Sequence, residues 1–238
     1  PEAAIFSRAP LRFDHALHTG SEVTPYYDAM LGKLIVHAPT REQAIDRLIH
    51  ALGRLTVLGL PTNRAFLIEC LNDEVFRRGQ ALISYLTGDA SRLQQLLREK
   101  EALAHQYWGA LCAVGQRPGP LACSYAQLRK LQHRGRAQEL ALRPETEQSW
   151  LLHRHGAEPA LLQVDELLAY GWRVRSAGLT QTVHAVQLPA GQGGMRWHLQ
   201  AGAVDWWVED VSYAPPENVA AAGQTAELRA PFNGRVVQ

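Results

Sequence analysis

Apolar positions recur at two different periods along the chain, and the period changes near residue 88. Before that point, helical spacing predicts an amphipathic helix over roughly 41–54, which Thr40 and Gln43 would open as a capping box. A β-branched run, LGKLIVH (31–37), predicts a buried strand, and LTVL (55–58) predicts a second, short strand. A further helix should open at 61–63 and a third at 72–73. The inward face of the helix after 61–63 is predicted to consist of Phe66, Leu67, Cys70 and Leu71.

After residue 88 the pattern changes to one long helix followed by many short strands. Residues 88–91 are expected to be a linker and cap, and 91–114 a helix whose residues 98–101 face solvent. From 149 onward, Gly, Pro and Asp separate short β segments at about 8–12-residue intervals, which is typical of an antiparallel sheet or barrel. These segments are SWLLHRH, PALLQV, GWRVRS, TQTVHAVQLP, MRWHLQ and VDWWVEDV. A long apolar helix beside so many strands predicts a sheet that wraps around the helix.

Composition narrows the classes of function. The 238 residues are 46% hydrophobic and carry a formal net charge of +1, so no overall attraction to nucleic acid or to an anionic membrane is expected. No apolar run reaches the roughly 18–20 residues that cross a bilayer. Three scattered cysteines argue against a disulfide scaffold or a cysteine zinc site, and we expect a cytoplasmic protein, or a matrix protein in mitochondria. The chain stops within the strand-like RAPFNGRVVQ, so we expect it to be a piece of a longer polypeptide.

Several motifs in the first part of the chain stand in the order of a known family. TPYYDAMLGKLIV (24–36) follows LRFD (11–14) and precedes REQA (41–44), GLPTN (59–63), and then Phe76 with Gly79. Together they resemble the C-terminal lobe of biotin carboxylase, over about residues 10–88. Near the other end, APFNG (230–234) looks like the Ala-Pro-Met-x-Gly opening of a biotinyl carrier domain, with Phe232 in place of Met.

The predicted helix and strands lie between these two groups of motifs. Their position resembles that of the connecting domain in α subunits of acyl-CoA carboxylases of the propionyl-, methylcrotonyl- or geranyl-CoA type. The resemblance implies an α+β chain with four parts. Residues 1–88 would be the C-terminal lobe of a biotin carboxylase (ATP-grasp) domain, and 89–214 a long helix wrapped by an antiparallel β-barrel that docks the subunit (BT-like). Residues 215–225 would be a linker, and 226–238 the first strand of the biotin carrier domain.

The same resemblance implies a reaction and partners. ATP and bicarbonate would carboxylate biotin on the carrier domain of the same polypeptide, and the carboxyl group would pass to an acyl-CoA on a carboxyltransferase β subunit, within an α–β hetero-oligomer. ATP with Mg²⁺ or Mn²⁺ would bind elsewhere in the full subunit. This chain has neither the family's Gly-rich phosphate loop nor its Met-Lys-Met biotinylation segment. We therefore expect no turnover by this chain alone.

Arg12 is the first candidate for a functional residue. A fixed guanidinium can stabilise the negative charge that grows on the ureido oxygen of biotin, and its planar fork suits bicarbonate oxygens. By resemblance, Arg12 stands at the position of the family's biotin-contacting arginine. The alternative is a surface arginine in a strand, paired with Asp14.

The remaining motif residues are expected to be scaffold. Asp28 can accept backbone N–H bonds, and the tyrosine rings would pack beneath the floor of the active site. This scaffold set is Tyr26, Tyr27, Asp28, Lys33 and Asn63. Arg41 could lie at a carboxylase dimer surface, as the resemblance implies, or could be an ordinary solvated residue in the first turn of a helix.

Other patterns leave alternatives open. Neither His153 with His155 nor His15 with His18 has a third ligand at a recognisable spacing, so no metal site is predicted. Arg134-Gly135-Arg136 is interpreted as a polar loop, or else as a contact with the β subunit. An aromatic docking patch, or alternatively core packing, is predicted for Trp197, Trp206, Trp207 and Tyr213.

Two other functions remain open at this point. The chain could be a non-catalytic module for subunit interaction, or a fragment of another biotin carboxylase of the acetyl-CoA or pyruvate type. In the acyl-CoA carboxylases that this chain resembles, the pocket for the acyl-CoA is expected on the β subunit.

Overall fold

The computed structural model of the chain describes residues 10–24, 26, 28–103, 106–114, 125–190 and 195–214. Tyr27, the predicted linker 215–225 and the predicted carrier strand 226–238 lie outside these residues. No helix within the described ranges is both long and apolar enough to cross a membrane.

The N-terminal part combines one β-hairpin with helices. Strands β1 and β2 pair antiparallel, with Arg12 opposite Ile35 and Asp14 opposite Lys33. The predicted strand at 31–37 is thus present, but it is partly exposed rather than buried. The elements are β1 (Leu11–His15), β2 (Gly32–Val36), α1 (Arg41–Arg54), α2 (Arg64–Asn72), α3 (Glu74–Arg77), α4 (Tyr85–Leu103) and α5 (Gln106–Val114).

Helix α1 confirms the prediction from helical spacing. The hydroxyl of Thr40 accepts the backbone N–H of Gln43 at 3.2 Å, which satisfies one of the free donors at the helix start. Ile45 and Leu52 of α1 are buried against Ile68 and Leu71 of α2, and these four residues form a small separate core. This core fixes the packing angle between α1 and α2.

The predicted inward face of α2 is partly wrong. Cys70 and Leu71 are buried as expected, whereas Phe66 is only half-buried and Leu67 is exposed. Arg64 and Glu69 are buried instead, since each finds an ion-pair partner on another element. Such partners lie far away in the sequence, so helical spacing alone could not reveal this face.

The linker expected at 88–91 is helical. Helix α4 already begins at Tyr85, and the backbone N–H of Gly88 donates to the carbonyl oxygen of Ser84 at 3.2 Å. The single helix expected over 91–114 is described as α4 and α5, with residues 104 and 105 outside the described part of the chain.

The C-terminal part is a closed antiparallel barrel of eight strands. Its order around the barrel is β10-β3-β4-β5-β6-β7-β8-β9, so every strand pairs with its neighbours in sequence and β10 closes on β3. The strands are β3 (Gln127–His133), β4 (Arg136–Thr146), β5 (Ser149–Arg154), β6 (Ala160–Leu168), β7 (Gly171–Ser176), β8 (Leu179–Pro189), β9 (Met195–Ala201) and β10 (Val204–Asp210).

The barrel confirms the six β segments predicted after residue 149 and adds two strands, β3 and β4. These two were missed because charged residues interrupt their alternation, although Leu131, Leu140 and Leu142 point inward. The stretch interpreted as a polar loop is their hairpin turn. Arg134 (φ 49°) and Gly135 (φ 73°) both lie in the left-handed region, as a tight two-residue hairpin turn requires.

Helix α5 shares the core of the barrel. Its residues Trp108, Ala110, Leu111, Cys112 and Ala113 belong to the same buried cluster as the inward side chains of the strands. The helix contacts β4, β5, β6 and β7. Gly109 permits the close approach, because a Cβ atom there would lie 2.9 Å from Cδ2 of Leu152 on β5.

Candidate functional site

Arg12 lies on the exposed β1–β2 hairpin. Its Nε atom is 3.0 Å from Oδ1 of Asp14, and the two side chains are 47% and 49% exposed. This is the pairing that the simpler interpretation of Arg12 expects. Because about half of the Arg12 side chain remains exposed, the ion pair leaves room for an external anion or dipole beside it.

The residues around Arg12 include part of the expected scaffold. Tyr26 is 87% exposed within the described chain, and its predicted place beneath an active-site floor stays a prediction. Asp28 accepts the backbone N–H of Met30 at 3.1 Å, and Lys33 faces Asp14 in the hairpin register. The hairpin thus brings together Arg12, Asp14 and Lys33.

Asn63 occupies the residue before α2, but its side chain makes no capping bond there. The hydroxyl of the preceding Thr62 accepts the backbone N–H of Arg64 at 3.4 Å instead. Asn63 therefore contributes its backbone, whose carbonyl accepts the N–H of Leu67 at 2.9 Å.

A cavity of about 580 Å³ lies between the hairpin, α1 and α2. Its lining is mostly apolar, with Phe13, Leu34 and Leu52 among the residues that contribute. Arg12 is not among the lining residues, so the cavity and the candidate arginine do not form one site.

Arg41 binds within the lobe. Its Nη2 donates to the carbonyl oxygen of Phe76 at 2.8 Å and its Nε to that of Arg77 at 3.4 Å, and its Cζ lies 5.2 Å from the centroid of the Phe76 ring. The side chain thereby ties the start of α1 to α3. Its predicted location at a dimer surface stays a prediction.

The strand predicted at 55–58 does not form, because its backbone is held by side chains of the barrel. Gln200 of β9 donates from Nε2 to the carbonyl of Leu55 at 2.9 Å and accepts the N–H of Val57 at 3.1 Å. The N–H of Gly59 donates to Nδ1 of His198 at 2.9 Å. Two side chains of β9 therefore replace a partner strand for this extended segment.

A partly buried ion pair crosses between the two parts of the chain. Arg64 of α2 is 3% exposed, and its Nη2 lies 3.0 Å from Oδ2 of Asp205 on β10. Its Nη1 donates to the carbonyls of Leu52 at 2.9 Å and Gly202 at 2.6 Å. One guanidinium therefore joins α1, α2 and the turn between β9 and β10.

His198 completes this contact. Because its Nδ1 accepts the N–H of Gly59, a neutral ring carries its proton on Nε2, which lies 3.6 Å from Oδ1 of Asp205. The ring stacks on that of Trp207, with centroids 4.2 Å apart and planes inclined by 6°. Arg196 covers the same indole at 4.7 Å.

A second polar cluster lies at the end of α4. Glu101 is 5% exposed, and its carboxylate accepts two bonds from Arg134 at 2.9 Å and lies 3.2 Å from Nε2 of His133. Burial disfavours the charged carboxylate, but the bonds from His133 and Arg134 outweigh it, so the pKa of Glu101 lies below its usual value of 4.5. Glu101 was expected to face solvent, and this expectation is wrong.

No local pattern in the sequence indicates this cluster. Residues 98–101 have the composition of one charged, solvated helix face, and the partners of Glu101 lie more than thirty residues later, on β3 and its turn. The adjacent Lys100 binds the buried Glu69 at 2.6 and 2.7 Å. Both carboxylates are thus buried with a bonded cation.

The expected aromatic patch is divided between core and surface. Trp206 is fully buried, and its Nε1 donates to the carbonyl of Glu101 at 3.1 Å. Trp197 packs against the barrel core, Trp207 is half-buried in its stack, and Tyr213 is exposed. Among the described residues, no three or more His, Cys, Asp or Glu side chains are grouped as metal ligands would be.

A comparison with protein families identifies the first part of the chain. Residues 3–88 match the biotin carboxylase C-terminal domain. The biotin carboxylase C-terminal domain therefore accounts for the hairpin, helices α1–α3 and the first residues of α4, and the barrel lies outside the match.

Curated relatives agree with this identification. The chain is 42% identical over 77 residues to a biotin carboxylase of Halalkalibacterium halodurans, which is 32% of the chain and 17% of that relative. It is 42% identical over 76 residues to the 2-oxoglutarate carboxylase small subunit of Hydrogenobacter thermophilus, covering 32% of the chain and 16% of the relative. The propionyl-CoA carboxylase α chain of Caenorhabditis briggsae is 34% identical over 76 residues, with 32% of the chain and 10% of the relative covered.

The chain spans at most about a sixth of the length of these three relatives, 17% in the longest case. Among solved structures, the biotin carboxylase domain dimer of Hydrogenobacter thermophilus 2-oxoglutarate carboxylase, in complex with MgADP, ADP and bicarbonate, is 38% identical. The match covers 35% of this chain and 18% of the chain in the solved structure, with a TM-score of 0.34.

Proposed function

We propose that the chain is part of the α subunit of a biotin-dependent acyl-CoA carboxylase. Residues 1–88 are the C-terminal lobe, 89–214 the domain that docks a carboxyltransferase β subunit, 215–225 a linker and 226–238 the start of the biotin carrier domain. The observation that carries the proposal is the closed eight-stranded barrel, with α5 packed on its core, directly after the biotin carboxylase C-terminal domain. The proposal holds that the barrel wraps this helix.

The contact between lobe and barrel supports a docking role. The partly buried pair of Arg64 and Asp205, together with the bonds of the Gln200 side chain to Leu55 and Val57, fixes the two parts together. A partner bound to the barrel would therefore be held at a defined position relative to the lobe. Such a fixed geometry suits a carrier-bound biotin that must reach two active sites in turn.

One surface of the barrel is a candidate for the docking contact. Tyr125, Leu128 and Tyr213 are all exposed. The chain after β10 continues along β3, since the N–H of Val211 donates to the carbonyl of Lys130 at 2.8 Å, and this brings Tyr213 towards Leu128. Exposed aromatic and aliphatic side chains are typical anchors at protein interfaces.

Arg12 is the residue that we propose to contact biotin. Bound biotin supplies the ureido nitrogen that accepts the carboxyl group, and a guanidinium beside the ureido oxygen stabilises the negative charge that develops there. The half-exposed side chain is accessible for such a contact. Asp14 would hold the guanidinium in place by accepting from Nε of Arg12.

The proposed role of Arg12 is tested by carboxylation of free or carrier-bound biotin in the intact polypeptide that contains this chain. Arg12→Ala should lower the rate by about 100-fold, the usual loss when a preorganised charge donor is removed, with ATP binding unchanged. Arg54→Ala, which removes an exposed arginine at the end of α1, is the matched control and should keep the rate. An equal rate for both variants would reject the role of Arg12.

A second candidate is a carboxylase of another type. The 2-oxoglutarate carboxylase relative from Hydrogenobacter thermophilus and a pyruvate carboxylase relative from Methanothermobacter thermautotrophicus match this chain, as the propionyl-CoA carboxylase chains do. A panel of acceptors separates the candidates: incorporation of labelled bicarbonate into propionyl-, methylcrotonyl- or geranyl-CoA supports the acyl-CoA type. Incorporation into acetyl-CoA or pyruvate alone contradicts the acyl-CoA type. If the chain assembles with its partner but no acceptor is carboxylated, it is a non-catalytic interaction module.

A further inference from the structure

A polar cleft of about 500 Å³ lies where α4 ends and α5 begins, at one end of the barrel. Its walls come from the end of α4, the start of α5, the β3–β4 turn and the end of β5. The residues that matter for its chemistry are Arg98, Glu101, Trp108, Arg134, Arg136 and Arg154. Nothing in the proposed carboxylase function uses this cleft.

The cleft is strongly cationic. Four arginines line it against one carboxylate, and that carboxylate, Glu101, is already occupied by Arg134 and His133. Arg98, Arg136 and Arg154 form no ion pair within the described residues, although other arginines of the barrel, such as Arg173 and Arg175, have a carboxylate partner. Three uncompensated guanidinium groups therefore share one concave surface.

Two buried donors in the same cleft also lack partners. Trp108 is 6% exposed, and its indole N–H meets no acceptor in the described part of the chain. The Nε of Arg154 is buried and equally unbonded. A buried donor without an acceptor costs free energy, and a ligand that supplies the acceptor recovers it.

We propose that this cleft binds a small, multiply charged oxyanion, carrying phosphate or carboxylate groups. The guanidinium fork matches the paired oxygens of both groups, and the volume of the cleft falls in the range of small-molecule sites. Arg136 and Arg154 bind the oxygens from the barrel side, and Trp108 donates its indole N–H. Glu101 keeps Arg134 and His133 in place beneath the ligand.

The test follows the indole N–H signal of Trp108 in the ¹⁵N-labelled full chain, assigned by its loss in Trp108→Phe. Inorganic phosphate and citrate are titrated separately at constant ionic strength, so that the two chemical groups are distinguished. A saturable downfield shift with either anion is the expected result. Arg136→Gln and Arg154→Gln should each weaken binding about tenfold, because a charge-assisted bond is lost.

Arg173→Gln removes the same charge from a surface pair on β7 and is the matched control, with an expected change of less than about twofold. Arg136 lies at a hairpin turn, so its variant tests the cleft even if Arg154→Gln folds poorly. The proposal is overturned if neither anion shifts the Trp108 signal at millimolar concentration. It is equally overturned if Arg173→Gln weakens binding as much as the cleft variants do.

Discussion

Arg64, on a helix within the match to the biotin carboxylase C-terminal domain, and Asp205, on the last barrel strand, form a partly buried ion pair with 3.0 Å between Nη2 and Oδ2. The same guanidinium also donates to the carbonyls of Leu52 and Gly202. Without Arg64, Asp205 and Gly202 lose this donor, whereas the carbonyl of Leu52 keeps only the bond from the N–H of Leu55 at 3.3 Å. The pair is therefore one of the contacts through which the stability of the lobe depends on that of the barrel, beside the bonds of Gln200 and His198 to residues 55–59.

Replacing Arg64 by Met should destabilise the chain by about 3 kcal/mol, because the partly buried carboxylate of Asp205 and the carbonyl of Gly202 lose the guanidinium that donates to them. The matched control is Arg77→Met, which breaks a surface pair with Asp46 and should cost about 1 kcal/mol or less. Urea unfolding of both variants measures the difference. Equal losses would show that the contact between lobe and barrel contributes little.

Gln200 should determine how well the segment 55–59 is held. In Gln200→Ala, the N–H of Val57 and the carbonyl of Leu55 lose their partners, so exchange of the Val57 amide should accelerate about tenfold or more. The Gly59 amide, bound to His198, should change less. The control is Gln181→Ala, at the exposed start of β8, which should leave exchange of the Val57 amide unchanged. If Gln200→Ala also leaves this exchange unchanged, Gln200 does not hold the segment.

Stability should depend on pH through Glu101. Its pKa in the folded chain is below 4.5, so its contribution is complete above that value and is lost as the pH falls through the folded pKa. Glu101→Gln should therefore be less stable than the parent at pH 7, and this difference should shrink below about pH 4.5. The urea midpoints of the parent and of Glu101→Gln should therefore converge as the pH falls. A difference between the two midpoints that stays constant from pH 7 to pH 3 would argue against a charged Glu101.

Asp73 provides a comparison for that series. Its burial opposes ionisation, but the bonds from Arg92 and from the N–H of Val75 prevail and lower its pKa as well. Asp73→Asn should consequently remove the contribution of Asp73 to the acid dependence, while the contribution of Glu101 stays unchanged.

Cys112 should be inert towards alkylation. Burial in the barrel raises the pKa of its thiol from 9.0 to about 12, which lowers the thiolate fraction at pH 8 by about a thousandfold. Iodoacetamide labelling followed by peptide mass spectrometry should find Cys112 unmodified in the native chain and modified in urea. Native labelling at the unfolded rate would mean that α5 does not stay within the barrel core.

Much of the fold could be predicted from the side-chain pattern. Strands β5 to β10 are short β segments separated by turn residues, so this pattern alone predicts them. Strands β3 and β4 carry many charged residues, and their turn at Arg134 and Gly135 has none of the dipeptides that mark a hairpin. The segment 55–58 has strand-like residues, but its backbone bonds to the side chain of Gln200, and the neighbouring Gly59 bonds to that of His198. No local pattern can reveal such distant partners.

The polar contacts could not be predicted for a related reason. Arg64 and Asp205 are 141 positions apart, and Glu101 and His133 are 32 apart. Charged residues in a helix normally indicate a face exposed to solvent. Arg64, Glu69 and Glu101 are interior residues only because each forms an ion pair with a residue distant in the sequence. Family motifs located the lobe, whereas the cleft beside Trp108 has no motif at all.

The docking role is tested most directly by the assembly state of this chain with purified carboxyltransferase β subunits, measured by sedimentation velocity. We expect a stable complex with a β subunit of the propionyl-, methylcrotonyl- or geranyl-CoA type. Leu128→Asp or Tyr213→Ala should weaken it at least about tenfold, because interface anchors carry most of the binding energy. Ile83→Asp, an equally exposed change in the lobe, should leave it intact. Failure to bind any β subunit of the acyl-CoA type, or binding only to a carboxyltransferase of the pyruvate type, would contradict the docking role.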